Sequence, residues 1–338
     1  MKSGTFDLEE QRLIKEVKRR GSKLVLIQLP EGLKPQGPRL AEVIEKTGAT
    51  AIISADPCYG ACDLAVEEAE TLGADLLIHF GHSPLPLTSK LSHVPTVPVE
   101  ARAKLSLKGA LKKTLPLIKP WKRIGLVTTV QHTDRLNDAR EVLIAAGKRV
   151  VIGKAGRLGH AGQVLGCDFG NAQAIAKDVD AFVCVCGGRF HAVGVALATS
   201  KPTVVGDPYE GRAYSVDKDA DRVRKQRWAS IQEAARGQRF GILIGLKSGQ
   251  KRLERALQIG RKLRLATKKP TLLAIREVTP ESLLQYPSID AYVNTACPRI
   301  SLDDSTRFKK PVLNVNEALV VTGELTWKQL LRKGWFAD

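Results

Sequence analysis

The chain of 338 residues is poor in aromatic side chains, poor in cysteine and short of acidic residues. Each shortage excludes something. Phenylalanine, tryptophan and tyrosine make up 5% of the residues, so no platform for stacking nucleic-acid bases is apparent. Six cysteines at this length fall far below the density of a disulfide-stapled scaffold. No stretch approaches the roughly 18 uninterrupted apolar residues of a membrane-crossing helix, and residues 1–20 lack the apolar centre of a signal peptide. The expected compartment is therefore the cytoplasm, where cysteines stay reduced and the question they raise is metal binding or reactivity. Also missing are Gly-x-x-x-x-Gly-Lys-Ser/Thr and Gly-x-Gly-x-x-Gly, the fingerprints of phosphate- and dinucleotide-binding loops.

What is present is a globular composition, 43% hydrophobic and 26% charged, without the long polar tracts of a disordered segment. The length implies two or three domains. The acid deficit leaves a formal charge of +18 and a pI near 9.7, which predicts attraction to nucleic acid or to an acidic protein face. The basic residues are spread over helices such as residues 247–269, so most of this charge reads as a solvated surface.

Short β-branched runs alternate with segments of helical period, the pattern of strand-helix-strand units with a parallel sheet. Three blocks restart in the same way, at Lys23, at Arg123 and at Arg239, and predict three similar α/β domains over residues 1–104, 105–215 and 216–338. In such sheets ligands bind beyond the carboxyl ends of strands. The loops expected there are 56–63, 81–86, 131–134, 156–170, 187–194, 207–211 and 295–304.

Cys62, Cys167 and Cys297 each fall on one of these loops, one to a block. Taken singly, each could be a small buried hydrophobe. Cys184 and Cys186 alternate within a strand and read as core packing, and Cys58, four residues before Cys62, stays ambiguous. The three loop cysteines stand 105 and 130 residues apart, unlike the close pairs of structural zinc sites. Three converging thiolates can hold three irons of a 4Fe-4S cluster and leave the fourth open to substrate.

At these loops the sequence resembles the diphthamide-synthesis family. The matching stretches are Pro30-Glu-Gly-Leu, Tyr59-Gly-Ala-Cys-Asp, His79-Phe-Gly-His-Ser, Thr128-Thr-Val-Gln-His, Gly162-Gln-Val-Leu-Gly-Cys, Gly187-Gly-Arg-Phe-His, Asp207-Pro-Tyr and Ala296-Cys-Pro-Arg with Asp303-Asp304. The resemblance implies three α/β domains with mostly parallel sheets flanked by helices and a 4Fe-4S cluster at their common centre, ligated by Cys62, Cys167 and Cys297. It implies a transferase that cleaves S-adenosylmethionine (SAM) reductively between sulfur and the methionine γ-carbon. The released 3-amino-3-carboxypropyl radical adds to imidazole C2 of a histidine in translation elongation factor 2. A homodimer and an electron donor are implied too; direct binding of nucleic acid is not required.

Within the matching motifs, Gly162, Gln163, Gly166, Gly187, Gly188, Asp207 and Arg299 are expected to contact SAM, the glycines by letting backbone approach closely. His82, His132 and His191 are expected to bind the methionine carboxylate or to manage the proton lost from the modified imidazole, against an equally ordinary role in loop hydrogen bonds. Arg299 could pair with the SAM carboxylate or with Asp303 or Asp304. Two other classes stay open on the residues alone: a nucleotide- or nucleic-acid-binding α/β protein without redox chemistry, and a zinc-dependent structural protein.

Overall fold

A computed structural model describes residues 5–84 and 93–336; positions 85 and 86 of the loop expected over 81–86 lie outside them. The first unit runs β1 (Phe6–Asp7), α1 (Glu10–Arg20), β2 (Leu24–Gln28), α2 (Gly37–Glu45), β3 (Thr50–Ile53), α3 (Val66–Leu72), β4 (Leu76–Phe80), β5 (Thr96–Val99) and β6 (Arg102–Ala103). The second runs α4 (Lys108–Thr114), β7 (Arg123–Thr128), α5 (Leu136–Ala145), β8 (Arg149–Val151), α6 (Gly170–Ile175), β9 (Ala181–Val185), α7 (Phe190–Thr199), β10 (Thr203–Asp207) and β11 (Arg212–Ser215). After α8 (Asp217–Arg236) come β12 (Arg239–Gly245), α9 (Leu253–Leu265), β13 (Lys269–Ile275), α10 (Pro280–Leu284), β14 (Ala291–Asn294), α11 (Pro298–Asp303), β15 (Val312–Asn314), α12 (Val315–Val321) and α13 (Trp327–Lys333).

The three main sheets share one strand order. It reads β3-β2-β4-β5, then β8-β7-β9-β10 with β11 added, then β13-β12-β14-β15. All main pairings are parallel except β10 with the edge strand β11, which is antiparallel. The central strands β4, β9 and β14 are buried throughout, as expected of strands covered on both faces by crossover helices. Helix α2 starts with Pro38 in its first turn and turns Leu40 and Ile44 inward.

One residue marks each repeat. Asp75, Asp180 and Asp290 stand immediately before the third strand of their units, and each carboxylate accepts the backbone N–H groups that open the first strand. Asp75 takes those of Lys23 (2.7 Å) and Leu24 (3.3 Å), Asp180 those of Lys122 (3.2 Å) and Arg123 (2.9 Å), and Asp290 those of Gln238 and Arg239 (both 2.8 Å). The carboxylate satisfies donors that the ladder has not yet engaged and so pins the first strand beside the third.

The Arg123 guanidinium, helped by these backbone donors, holds the Asp180 carboxyl down at about 2. A carboxyl depressed in the folded state stabilises above its unfolded pKa of about 3.9, and that contribution is lost as pH falls toward 2. Asp180→Asn should therefore flatten the fall in stability between about pH 4 and pH 2, read as the urea midpoint followed across that range.

The cores are distributed unevenly. The first sheet has its own apolar layers, Val25, Ile27, Ile78 and Val99 on one face and Leu26, Ala69 and Leu77 on the other. The second and third units instead share one continuous core, in which Phe169, Phe182 and Val195 pack in the same cluster as Phe240, Val293, Leu313 and Trp335. Cys184 and Cys186 belong to that core, with sulfurs 3.4 Å apart on the same side of the sheet.

Helix α8 has no counterpart in the strand-helix-strand reading, nor does the antiparallel β11. The basic stretch 247–269 also needs correction. Its helix begins only at Leu253, and Lys247, 8% exposed, is a buried ion-pair partner rather than part of a solvated face.

Candidate metal centre

Cys62 and Cys167 lie after the second strands of their units, β3 and β8, whereas Cys297 follows the third strand of its unit, β14. The three sites are therefore not equivalent positions of the repeat. They converge all the same. The charge of Cys62 acts on Cys167 and Cys297, that of Cys297 acts on Cys167, and burial is the leading cause that pushes all three thiols up, Cys167 to about 12 and Cys297 to about 11.

The spacing of the sulfurs matters. Among the described residues, three ligand atoms within 4.8 Å of one another occur in a different group, not in this one. A single tetrahedral zinc ion needs sulfurs about 3.8 Å apart, given bonds of about 2.3 Å. At least one pair of these three partly buried thiols stands wider than that, beyond 4.8 Å, which suits the corners of a cluster. The donor set fits a 4Fe-4S group, which would displace the thiol protons on binding.

The surrounding contacts come from all three units. From the third, Gly249 donates its N–H to the Cys62 carbonyl (2.8 Å) and the Gln250 side-chain amide donates to the Cys62 sulfur (3.5 Å). Lys247 reaches Asp63, next to Cys62, at 2.9 Å and Glu277 at 2.8 Å. Between the first and second units, Gln131 donates to the Gly81 carbonyl (2.8 Å) and Gln163 to the Ser83 hydroxyl (3.0 Å). Between the second and third, the Arg299 guanidinium lies 3.7 Å from the Phe190 ring centroid and donates to the Phe190 carbonyl (3.1 Å).

Arg299 also donates to Asp303 (2.8 Å), so the pairing anticipated within the loop is formed. One nitrogen, Nη1, is buried without a protein partner, as are Oε1 of Gln163 and both ring nitrogens of His132. Buried polar atoms are nearly always satisfied. Three such residues lie on the candidate loops.

Burial keeps the histidines neutral, holding His82 and His132 at about 4 and His191, which also faces Arg299 and His82, at about 3. A neutral imidazole accepts a proton but does not ion-pair with a carboxylate. Asp207 is already engaged, accepting from the N–H groups of Gly188 (2.8 Å), Tyr209 (2.9 Å) and Glu210 (3.1 Å), and so shapes the loop of Gly187 and Gly188. The protein's own side chains occupy the space a Cβ would need at three of the glycines: Leu136 at Gly162, Phe190 at Gly166 and Tyr209 at Gly187.

Gly249 packs directly against backbone of the Cys62 loop. A Cβ there would stand 2.6 Å from the Cys62 Cα, and backbone has nowhere to retreat. Gly249→Ala is expected to displace Cys62, cost about 1–3 kcal/mol as overpacking and lower the iron held per chain, measured by urea unfolding and by iron and sulfide assay of the same preparation.

A model of the family described as putative diphthamide synthesis protein matches residues 29–331. The chain belongs to the diphthamide-synthesis family. It is 37% identical to the 2-(3-amino-3-carboxypropyl)histidine synthase of Pyrococcus horikoshii, over 94% of this chain and 91% of that one. It is 31% identical to subunit 1 of the synthase of Gallus gallus, over 98% and 81%. The solved structure of Dph2 from Pyrococcus horikoshii with a 4Fe-4S cluster superimposes with a TM-score of 0.86 at 35% identity, covering 95% of this chain and 92% of that one. The α/β architecture with mostly parallel sheets is thus the family's own.

Lys247, Gly249 and Gln250 were not anticipated as part of the site, and Phe190 stood in a matching motif without a role. They act across boundaries between units, and no local pattern carries that information. A cavity of about 560 Å³ lined by Phe6, Leu8, Arg12 and Arg39 contains none of the candidate residues and lies at the edge of the first unit.

Proposed function

We propose that the chain is a 2-(3-amino-3-carboxypropyl)histidine synthase that moves this group from SAM to C2 of a histidine in translation elongation factor 2, with a 4Fe-4S cluster held by Cys62, Cys167 and Cys297. The observation that carries the reading is that partly buried thiols from three sheets lie close enough for the charge of one to act on the next, with at least one pair more than 4.8 Å apart. The cluster, when bound, supplies an electron that breaks the bond between the SAM sulfur and the γ-carbon.

The chain's residues bind and orient. The free Nη1 of Arg299 is a charged donor for the methionine carboxylate, and Asp303 and the Phe190 ring hold the guanidinium flat for that contact. Gln163 offers its unpaired oxygen to a donor such as the methionine ammonium. After addition, C2 of the modified imidazole must lose a proton together with one electron, which the cluster when bound could take back; the unpaired, neutral ring of His132 can take up the proton, a base role that its protonated form could not fill. His82 and His191, close enough for one to act on the other, are neutral rings, and Gly162, Gly166, Gly187, Gly188 and Asp207 set the loop path.

The same reading places the enzyme in the cytoplasm, as a homodimer served by a separate electron donor. Among the described residues no helix is long and apolar enough to cross a membrane. The test is anaerobic loading with iron and sulfide, reduction, and mass spectrometry of the products with SAM and elongation factor 2. Methylthioadenosine together with a mass gain on the factor's histidine is the expected result. Deoxyadenosine in its place, or a colourless preparation that holds zinc at the three thiols, would overturn the proposal.

A further inference from the structure

Beside the three-thiol centre lies a second, tighter group. Cys58, His79 and His82 each present one ligand atom, and the three atoms lie within 4.8 Å of one another. We infer that these residues form a mononuclear site for Zn²⁺, separate from the cluster and with a fourth position open.

Gln28, at the end of β2, fixes the geometry. Its amide nitrogen donates to the Asp63 carbonyl (2.7 Å) and its oxygen accepts from the Ala65 N–H (3.0 Å), so the amide can face only one way. That oxygen also meets His79 Nδ1 at 2.7 Å. An amide oxygen only accepts, so Nδ1 carries the proton and the lone pair of His79 is on Nε2. This is the arrangement in which metal-binding histidines are usually held, the distal N–H given to a fixed acceptor that orients the ring.

His79 Nε2 is 3.1 Å from His82 Nδ1. Two nitrogens on one tetrahedral zinc ion, each at about 2.0–2.1 Å, stand about 3.3 Å apart. The pair is therefore already at bonding separation for a shared ion. Cys58 must close the rest, and it lies in a stretch of the 54–60 loop with neither helix nor strand, so no element has to be rearranged.

The chemistry of the surroundings agrees. Cys58 and His79 are 4% and 2% exposed, and burial holds both histidines in the neutral form a metal requires. Cys58 is kept protonated, at about 12, chiefly by burial and then by Asp63; a bound divalent cation would remove that proton. One sulfur and two imidazoles with a vacant fourth position make a donor set suited to zinc.

The contrast with the neighbouring triad separates the sites. At least one pair of the Cys62, Cys167 and Cys297 sulfurs stands beyond 4.8 Å, whereas the ligand atoms of Cys58, His79 and His82 all lie within it. The inference does not depend on the proposed reaction.

The probe is Co²⁺ alone, then Zn²⁺ in competition, added to the full-length chain with Cys62, Cys167 and Cys297 replaced by alanine. One equivalent of Co²⁺ with tetrahedral d–d bands and a thiolate-to-cobalt charge-transfer band is expected. Cys58→Ser should abolish the charge-transfer band, and Gln28→Leu should weaken binding about tenfold to a hundredfold by releasing the His79 ring. If the triple variant does not fold, the same titration on the anaerobically cluster-loaded wild-type chain, whose three other thiols are occupied, gives the answer. No stoichiometric uptake, or uptake whose spectrum survives Cys58→Ser, would overturn the inference and leave the two histidines as a simple hydrogen-bonded pair.

Discussion

Alanine in place of any one of Cys62, Cys167 or Cys297 is expected to strip iron from the chain and to reduce SAM cleavage to the uncatalysed background. The ground for so large an effect is the ligand count. Three protein sulfurs hold a cluster whose fourth iron is left for substrate, and with one of them gone the cluster hangs from two. Each variant should fold, because Cys→Ala at a partly buried loop position removes one sulfur and leaves the strands untouched. Cys184→Ala is the matched control, since its sulfur sits in the shared core of the second and third units and should leave the iron content intact. The measurements are iron and sulfide per chain, absorbance near 400 nm and the yield of methylthioadenosine. Full iron retention in any of the three loop variants would remove that residue from the ligand set.

Much of the framework was legible in the sequence. The first strands at Lys23, Arg123 and Arg239 were marked by apolar β-branched runs, and the structure begins β2, β7 and β12 at Leu24, Arg123 and Arg239. The aspartate before each third strand is a sharper mark of the repeat, but a lone Asp between apolar residues looks like an ordinary loop end. Its meaning lies in a hydrogen bond to a residue 52 positions away in the first and third units. Helix α8 was hidden for a different reason. Its inward stripe is thin, only Ala220, Arg227, Ile231 and Ala234, and an arginine in that stripe breaks the apolar period from which a helix is read.

For the site, the motifs pointed to the three loop cysteines, but one per block concealed that Cys297 follows a different strand of its unit from the other two. The partners that fix the loops, Lys247 on Asp63 and Gln250 on Cys62, come from 184 and 188 residues away. Tertiary contacts of that kind have no local signature. Arg299 and Gln163 were legible as residues, yet what singles them out is an unpaired buried atom, which only coordinates reveal.

Replacing Arg227 by leucine should be the most destabilising single change away from the metal centre. Arg227 and Glu317 are fully buried and paired in two hydrogen bonds, Nε to Oε1 at 2.7 Å and Nη2 to Oε2 at 2.6 Å. The guanidinium also donates to the carbonyls of Ser301 (2.7 Å) and Val312 (2.8 Å), while Glu317 accepts from Trp335 Nε1 (2.7 Å) and the Asn314 N–H (2.9 Å). The pair thus ties α8 to α11, β15 and the C-terminal segment. Leucine at 227 leaves Glu317 as a buried carboxylate with no counter-charge, which costs about 3–5 kcal/mol, a large part of a typical domain's total stability.

Two further outcomes follow from the same geometry. The double variant Arg227→Met with Glu317→Leu removes both charges and should recover much of the loss, since a well-packed apolar pair can match a buried ion pair. The carbonyl of Ser301 lies in α11, the helix that begins directly after Cys297. Arg227→Leu should therefore lower iron occupancy as well as the urea midpoint, at a concentration of urea where the wild-type chain keeps both. A variant that lost stability while holding its iron would show that α11 is set by Asn294, whose side chain donates to the Cys297 carbonyl at 2.5 Å, and not by the arginine behind it.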